Sequence, residues 1–288
     1  MKNPSLKVLA TPIGNLEDLS PRAKTALAEA DLIACEDTRV TGKLLSVLGI
    51  EKKPFVSYFD QVEKKKAASI VDRLVAENLN LVLVSDAGTP CISDPGYHLV
   101  AEARSRGIEV SPIPGPTAAM ALLSVSGLPC HRFMFIGFLP PKANARQKEV
   151  ESWTSALGSI ILYESPRRVL ATIQLIEEIH PEALVCIGRE ITKLYEEIRS
   201  FSVKEAAIWL QAHSNLKGEF AIVVNLPEKI LQEDDVKGNL RADVIAGFRA
   251  GKSLKDLLKE MKDSGLSRSD LYGFLLEVKN SMKEELGE

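Results

Sequence analysis

Cysteine and histidine are scarce in this sequence of 288 residues, and neither type is clustered. The four cysteines are Cys35, Cys91, Cys130 and Cys186, and no two of them have the spacing of a zinc site or of a redox pair. The four histidines are equally scattered. We therefore expect neither a disulfide framework nor a bound metal.

Long apolar runs and an excess of one charge are also missing. No stretch approaches the roughly eighteen consecutive apolar residues that a membrane-spanning helix needs, and the start of the chain does not resemble a signal peptide. The net charge is −3, and hydrophobic residues make up 45% of the chain. This composition predicts a globular, cytoplasmic protein with no membrane partner, and it argues against a surface that is basic throughout while leaving room for a local basic patch.

The familiar nucleotide-binding motifs are missing as well. No G-x-G-x-x-G follows the first predicted strand, so the sequence does not support a dinucleotide site. Gly251, Lys252 and Ser253 resemble the end of a P-loop, but Ala246 stands where that motif requires glycine. The glycine-containing loops that the chain does have therefore predict a ligand that is approached by backbone but not held through a pyrophosphate.

The most informative stretch is residues 81–96 (LVLVSDAGTPCISDPG). Residues 81–84 have the short, branched, apolar character of a buried parallel strand. The polar, Gly- and Pro-rich segment that follows is longer than the about two to six residues that usually join a strand to a helix. An ordinary connection is the alternative, but this length favours a ligand-binding loop at the carboxyl end of the strand, where open α/β sheets bind ligands.

The chain as a whole divides into three predicted regions. Residues 1–112 alternate strand and helix, which predicts a parallel sheet covered on both faces. Residues 111–116 hold three prolines and a glycine and are interpreted as a hinge to a second α/β domain, residues 113–228. Residues 229–288 show only helical periodicity and are interpreted as a helical tail that packs against the body, with a helix-turn-helix as the alternative. The predicted fold class is α/β, with two consecutive α/β domains, an active-site cleft between them and a small helical C-terminal tail.

Each predicted strand end carries a loop with acids, arginines, glycine or proline. In a parallel sheet such loops gather along one edge, and two domains can turn these edges toward each other. The loops, and short segments near them, form eight motifs: residues 10–15 (ATPIGN), 35–39 (CEDTR), 85–96, 114–118 (PGPTA), 137–140 (GFLP), 163–166 (YESP), 188–193 (GREITK) and 217–220 (KGEF).

On these eight motifs, which occur in the family's order, the sequence resembles the tetrapyrrole methylase superfamily. Within it, the chain is similar to the branch that methylates the ribose 2′-hydroxyl of a decoding-centre cytidine in small-subunit (16S) ribosomal RNA, with S-adenosylmethionine as methyl donor. The resemblance implies that the donor lies folded in the cleft between the two domains. The residues that it implies for donor binding are Pro12, Ile13, Asp86, Gly88, Thr89, Pro90, Cys91, Ile92, Thr117, Ala118, Phe138, Ala221, Ile222 and Val223.

A ribose hydroxyl is a weak nucleophile, so a base or hydrogen-bond acceptor must take up its proton as the new bond forms. The candidates are the acids at strand ends, Glu36, Asp37, Glu164 and Glu190, and among them we favour Asp37 or Glu190. Cationic side chains at the same ends are candidates for holding RNA phosphates: Arg39, Arg168, Arg189 and Lys193. The alternative is that Glu36 with Arg39, and Glu190 with Lys193, form local ion pairs.

Two other functions remain open at this point. A corrin or porphyrin C-methylase of the same superfamily would need a cleft for a flat polycarboxylate, and strand-end arginines would suit that substrate too. A ribosome-assembly or RNA-binding protein without activity would not need an intact glycine loop. The resemblance further implies a homodimer and a partner that is 16S ribosomal RNA or the small ribosomal subunit.

Overall fold

A computed structural model describes residues 3–213, 216–227, 233–262, 264 and 266–286. Its internal contacts divide the chain into two compact units, Met1–Pro227 and Glu228–Glu288. None of the described helices is long and apolar enough to cross a membrane. The predicted boundary between residues 228 and 229 lies outside the described residues.

The first half of the larger unit is built on a five-stranded sheet in the order β3-β2-β4-β1-β5, in which every pairing is parallel. Its strands are β1 (Ser5–Leu9), β2 (Leu32–Cys35), β3 (Phe55–Ser57), β4 (Asn80–Val84) and β5 (Glu109–Ile113). Its helices are α1 (Pro21–Glu29), α2 (Thr38–Val47), α3 (Asp60–Ala76) and α4 (Tyr97–Ser105). The parallel sheet predicted from the alternation of strands and helices is confirmed.

Alternating side chains along these strands build two cores. Leu81 and Leu83 of β4 pack on the side of α3 and α4, whereas Val82 and Val84 pack on the side of α1 and α2. This period of two explains why the strand is apolar throughout, since both faces are covered. After β1 the chain passes to the face of the sheet that α1 and α2 cover, and after β4 it passes to the face that α3 and α4 cover. The strands β1 and β4 are neighbours in the sheet. Their carboxyl ends therefore form the crevice where such sheets bind ligands.

The predicted hinge begins later than the sequence suggested. Residues 111–113 belong to β5, where Pro112 lies opposite Val8 of β1. Because β5 is an edge strand, the missing N–H of Pro112 costs no hydrogen bond within the sheet. The predicted boundary between residues 112 and 113 thus falls inside a strand, and the connection to the next half is residues 114–117.

The second half is built on a mixed five-stranded sheet in the order β6-β7-β10-β8-β9. Its strands are β6 (Phe133–Phe138), β7 (Ser159–Glu164), β8 (Leu184–Arg189), β9 (Glu197–Ser202) and β10 (Phe220–Asn225). Its helices are α5 (Ala118–Val125), α6 (Ala143–Glu151), α7 (Val169–Ile179) and α8 (Val203–Gln211). Since β6 is parallel to β7, and β10 is antiparallel to both β7 and β8, the strands β6, β7 and β8 run in one direction. Their carboxyl ends share one edge.

The two faces of this sheet are covered differently. Val150, Ile173 and Leu210 bring α6, α7 and α8 onto one face. The other face is covered by α5, through Leu122 and Leu123. The helix α5 follows directly on the connection from the first sheet, so its first residues lie where the two halves meet.

The helical unit consists of α9 (Glu233–Arg249), α10 (Leu254–Glu260) and α11 (Arg268–Leu286). Val244, Leu257, Phe274 and Leu275 form its own small core. The helical pattern read from the sequence around residues 254–261 and 271–278 matches α10 and α11. The helix α9 was not predicted, because only a minority of its residues are apolar.

Candidate active site

The loops that follow β1 and β4 are joined by backbone hydrogen bonds. We call residues 10–15 the β1 loop and residues 85–96 the β4 loop. Thr11 N–H donates to Gly88 O at 2.8 Å, and Gly88 N–H donates back to Thr11 O at 3.1 Å. The Thr11 hydroxyl also donates to Ser85 O at 3.1 Å. These bonds fix both loops over the switch point of the first sheet.

The β4 loop has an unusual backbone. Gly88 has a φ of +84°, in the region that favours glycine, and the hydroxyl of Thr89 donates to Pro116 O at 3.1 Å. Further along, Cys91 and Ser93 have φ values of +72° and +63° although they are not glycines. Such strain is held only where the surrounding structure determines it, and it is concentrated at functional sites.

The edges of the two sheets face each other. A Cβ placed on Gly14 of the β1 loop would lie 2.8 Å from the hydroxyl of Thr192, which follows β8. A Cβ placed on Gly137 of β6 would lie 2.6 Å from the hydroxyl of Ser93 in the β4 loop. The absence of a side chain at Gly14 and Gly137 thus allows the two halves to approach closely there, and the Gly88 and Gly188 turns lie at one shared cleft.

A cavity of about 420 Å³, the cleft cavity, occupies this cleft. Its volume is within the range of small-molecule sites. Residues from both sheets and from α5 line it: Ile13, Glu36, Asp86, Ala87, Gly88, Thr89, Ile92, Ser93, Asp94, Thr117, Ala118, Phe138, Tyr163, Glu164, Ser165, Pro166, Ile191, Gly218, Glu219, Phe220 and Ala221.

Most of the residues implied for donor binding line this cavity, and five do not. Those in the lining are Ile13, Asp86, Gly88, Thr89, Ile92, Thr117, Ala118, Phe138 and Ala221. Outside it are Pro12, Pro90, Cys91, Ile222 and Val223. Pro12 lines a separate groove beside α2, Pro90 is buried, and Cys91 packs against the core under α3 and α4. Ile222 faces α6–α8, and Val223 is buried under α5. The side chains of the nine lining residues can therefore contact a ligand in the cavity, whereas the side chains of these five residues cannot.

Tyr163, near the end of β7, lines the cavity but was not among the predicted donor-binding residues. Its hydroxyl accepts a hydrogen bond from Ala119 N–H in the first turn of α5 at 3.2 Å. Its ring lies edge-on to Phe135 and Phe138, with centroids 5.1 and 5.9 Å apart. The signal that pointed to it was its place at a strand end, in the motif of residues 163–166. Tyr163 and the half-exposed Phe138 give the second-sheet side of the cavity an aromatic surface.

The cavity acids Glu36 and Asp86 come from the ends of β2 and β4. Asp86 Oδ1 accepts a hydrogen bond from the Asp37 N–H at 3.1 Å. Burial raises the pKa of Asp86 above its ordinary value, and this hydrogen bond offsets the effect only in part. A carboxylate with a raised pKa is a better proton acceptor than one held by a cation.

Glu164 lines the cavity too, but its carboxylate is committed to the protein. Oε1 accepts from the Ser165 N–H at 2.7 Å. Oε2 accepts from Arg168 at 2.9 Å and from the Thr172 hydroxyl at 2.8 Å, and the side chain is fully buried. These bonds indicate that Glu164 holds the start of α7 against β7 rather than exchanging protons with a ligand.

The two acids that we favoured as proton acceptors, Asp37 and Glu190, are not in the lining. Asp37 caps α2, accepting from Arg39 N–H at 2.8 Å, and binds the Arg39 guanidinium through both oxygens. These bonds to Arg39 lower the pKa of Asp37 to about 2. Burial alone would raise the pKa of Glu190, but hydrogen bonds from Lys193 and from Glu219 N–H outweigh it and leave the pKa below its ordinary value. Both positions make weak bases, so the geometry disfavours that choice.

The four cationic residues proposed for RNA are all engaged in ion pairs, and none lines the cavity. Arg39 pairs with Asp37, Arg168 with Glu164, Arg189 with Glu197, and Lys193 with Glu190 and Glu219. The local pair expected between Glu190 and Lys193 is present, whereas the partner of Arg39 is Asp37. The Arg39 side chain is 88% exposed and is the most accessible of the four. Among the described residues, no group of three or more His, Cys, Asp or Glu could hold a metal ion.

Comparisons with known proteins agree with this arrangement. The profile of the tetrapyrrole (corrin/porphyrin) methylases matches residues 6–207. The chain is 44% identical over 224 residues to a protein of Vibrio cholerae named ribosomal RNA small subunit methyltransferase I. This match covers 77% of each of the two chains. Proteins of the same name from Haemophilus influenzae and Mesorhizobium japonicum are 39% and 38% identical, and the matches cover 93% and 98% of this chain and 92% and 94% of theirs.

Solved structures show the same fold at low sequence identity. The methyltransferase CobJ is 19% identical, with a TM-score of 0.58 over 78% of this chain and 95% of that one. The cobalt precorrin-4 methyltransferase CbiF is 15% identical, with a TM-score of 0.55 over 77% and 94%. The predicted fold class of two α/β halves with a cleft between them is thereby confirmed.

Proposed function

This chain belongs to the tetrapyrrole (corrin/porphyrin) methylase family, and from that premise we propose that it is a methyltransferase that uses S-adenosylmethionine to methylate small-subunit ribosomal RNA. Its relatives over nearly the whole chain are named for that activity. The acceptor is the ribose 2′-hydroxyl of a decoding-centre cytidine in 16S RNA, and the working form is a homodimer in the cytoplasm. In this proposal the two α/β halves, joined by residues 114–117, enclose the donor.

The observation that carries this proposal is the charge of the cleft cavity. Glu36, Asp86 and Asp94 line it, and no lysine or arginine is among its described lining residues. Such a lining attracts a cation and repels an anion. A sulfonium donor is cationic at its reacting centre, whereas a dinucleotide or a polycarboxylate tetrapyrrole is strongly anionic. The lining therefore favours the sulfonium donor in the cavity, and the names of the relatives favour RNA over a tetrapyrrole as the acceptor.

The residues present fit the donor. Gly88 is a glycine at positive φ, so backbone can approach the ligand closely at that point. Thr117 is the N-cap of α5 and Ala118 is its first residue, and the N-terminal end of a helix suits the donor's carboxylate. Phe138 and Ala221, with the ring of Tyr163, offer an apolar surface for its adenine. The backbone around Pro12, Pro90, Cys91, Ile222 and Val223 supports these walls from behind.

The protein's own contribution to the reaction is alignment and proton uptake. S-adenosylmethionine, when bound, supplies the methyl group from its sulfonium. The cleft holds the ribose hydroxyl in line with that group, which removes most of the entropic cost of their meeting. Glu36 accepts the hydroxyl proton, because it lines the cavity, whereas Asp37 and Glu190 lie outside the lining and the Glu164 carboxylate is fully buried. Among the four cationic candidates for RNA phosphates, the largely exposed Arg39 is the most accessible, whereas Arg168, Arg189 and Lys193 would have to exchange their ion-pair partners for a phosphate.

A transfer assay tests the proposal. The protein is incubated with methyl-labelled donor and either unmodified small ribosomal subunits, subunits already methylated at the same site, or a porphyrinogen. We expect label only in the RNA of the unmodified subunits, in a nucleotide whose 3′-phosphodiester bond resists alkaline hydrolysis because its 2′-hydroxyl is methylated. Label in the porphyrinogen alone would make the chain a tetrapyrrole methylase. Absence of donor binding by calorimetry would leave only the non-enzymatic RNA-binding alternative.

The acceptor assignment has a separate test. Glu36→Gln should lower the turnover number by about a hundredfold, within the usual contribution of a general base, and change donor affinity little. Asp37→Asn and Glu190→Gln are the matched controls and should keep turnover within about threefold of wild type, since neither lines the cavity. If Glu36→Gln retains full turnover while one of the controls loses it, the original choice of Asp37 or Glu190 is correct.

A further inference from the structure

The β4 loop is fastened at both ends. Near its start, Gly88 pairs with Thr11, as described above. Near its end, the Gly96 N–H donates to Oε2 of Glu63 at 2.8 Å. Glu63 belongs to α3, which packs beside α4, and only 16% of its side chain is exposed. One buried carboxylate therefore ties the last residue of the loop to a helix of the first sheet.

Between these two anchors the loop has a conformation that it would not keep alone. Cys91 and Ser93 both have positive φ, which side-chain-bearing residues seldom adopt. The bonds inside the segment are long. Ile92 N–H lies 3.3 Å from Thr89 O, and Cys91 N–H lies 3.4 Å from Pro95 O. The strain must be balanced by contacts from outside the segment.

The same segment forms one wall of the cleft cavity. Ile92, Ser93 and Asp94 all line it, and Ser93 also lies against Gly137 of the second sheet. A relaxed backbone at these residues would change the shape of the wall and the contact between the two halves. The wall is thus both the strained part of the loop and the part that a ligand would touch.

Glu63 lies behind this wall, with 16% of its side chain exposed, beside the buried groups of the first core. Burial raises the pKa of the Cys91 thiol to about 11, and the charge of Glu63 adds to the effect. The same two causes raise the pKa of Tyr58, which is buried nearby. On the other side, His98 Nε2 lies 3.8 Å from Glu63 Oε1. A hydrogen bond to a charged acceptor in such surroundings is stronger than one at the surface.

We propose that Glu63 is a positioning residue for the methyl donor: through its hydrogen bond to Gly96 it holds the strained wall of residues 91–94 in the shape that binds the donor, without touching the donor itself. The inference rests on the proposed function, since it names the ligand of the cleft cavity. Apparent affinity falls in proportion to the fraction of molecules whose wall has the binding shape. Removing the bond should therefore weaken binding without removing any contact to the donor.

The test is calorimetry of S-adenosylmethionine binding to the full chain and three variants. Glu63→Ala should bind about tenfold more weakly, the loss expected for one hydrogen bond to a charged group. Glu63→Gln keeps an oxygen that accepts from Gly96 and should remain within about threefold of wild type. Asp72→Ala is the matched control: Asp72 also lies on α3 and pairs with Arg106 at the end of α4, but it does not touch the loop. It should bind like wild type.

A second measurement does not depend on the donor. In hydrogen exchange on the free protein, amides of residues 91–96 should exchange faster in Glu63→Ala than in Asp72→Ala. If Glu63→Ala does not fold, Glu63→Met fills the same space without an acceptor and replaces it. Wild-type affinity together with wild-type protection in the acceptor-free variant would overturn the inference. If the wild-type chain binds no donor, the proposed function fails, while the exchange comparison still decides whether Glu63 holds the wall.

Discussion

The β4 loop and the segment after β8, residues 190–196, which we call the β8 loop, reach the same cleft and have backbones of the same kind, but their side-chain anchors differ. Both loops have backbone hydrogen bonds and non-glycine residues at positive φ. The β4 loop is anchored by the partly buried carboxylate of Glu63, which belongs to α3. The β8 loop is anchored by ion pairs in which its own Lys193 joins Glu190 to Glu219. We therefore expect the β4 loop to make most of the ligand contacts, since several of its residues line the cleft cavity and only Ile191 of the β8 loop does.

The largest effect is expected in the β4 loop, where Gly88→Arg should abolish measurable binding of the donor. The first added atom would fit, since it would lie 3.5 Å from Ile13 Cγ2, but the rest of the side chain must enter the cleft cavity and bring a positive charge toward a cationic donor. Calorimetry with S-adenosylmethionine measures the loss, and circular dichroism checks the fold.

The matched control is Gly107→Arg. Gly107 also has a positive φ, +71°, but nothing lies within 4 Å of an added Cβ. It should lose about 1 kcal/mol of stability through backbone strain and keep wild-type donor affinity. Unchanged affinity in Gly88→Arg would show that the donor does not lie against the β4 loop.

Asp86→Asn should have the next largest effect, and a selective one. Removing the carboxylate charge should weaken S-adenosylmethionine by about tenfold and its neutral product S-adenosylhomocysteine by only about twofold, because only the donor carries the sulfonium charge. Competition calorimetry with the two ligands gives both numbers for the same preparation. If the variant lost the same affinity for both ligands, Asp86 would act by supporting the loop and not by attracting the positive charge of the donor.

The same two loops show what the sequence could predict. The first sheet and its ligand-binding edge followed from local patterns, because its strands are short, β2 and β4 are almost wholly apolar, and recognisable loops follow β1, β2 and β4. The second sheet was harder to predict. Four of the six residues of the edge strand β9 are polar, without a regular alternation, and the reversed direction of β10 depends on pairing partners that are distant in the chain. Such pairing is a tertiary property that local pattern does not contain.

Within the site, the type of residue was predictable and its role was not. Five acids were expected or found at strand ends, and the sequence gives no sign of which of them meet a cation. Asp37 precedes a helix and becomes its N-cap, a local possibility that the N-cap preference of aspartate allows. The Glu190 carboxylate pairs with Lys193 and accepts a hydrogen bond from the N–H of Glu219, which is 29 residues away. Contacts across that separation are fixed by the fold, so the choice among the acids needed the structure.

The smallest effect is expected on the β8 side. Glu190→Gln should leave donor affinity unchanged and lower the free energy of unfolding at neutral pH by about 1 kcal/mol, because Lys193 loses one of its two partners at a partly exposed site. The folded state lowers the pKa of Glu190, so the stabilisation is present above the unfolded-state pKa of about 4.3 and is lost as the pH falls through the folded value. Urea unfolding of wild type and variant should therefore give curves that differ at pH 7 and converge as the solution is acidified below that range. A difference that persists in acid would mean that Glu190 acts through its shape and not through its charge, and the contrast between the two loops would no longer rest on ion pairs.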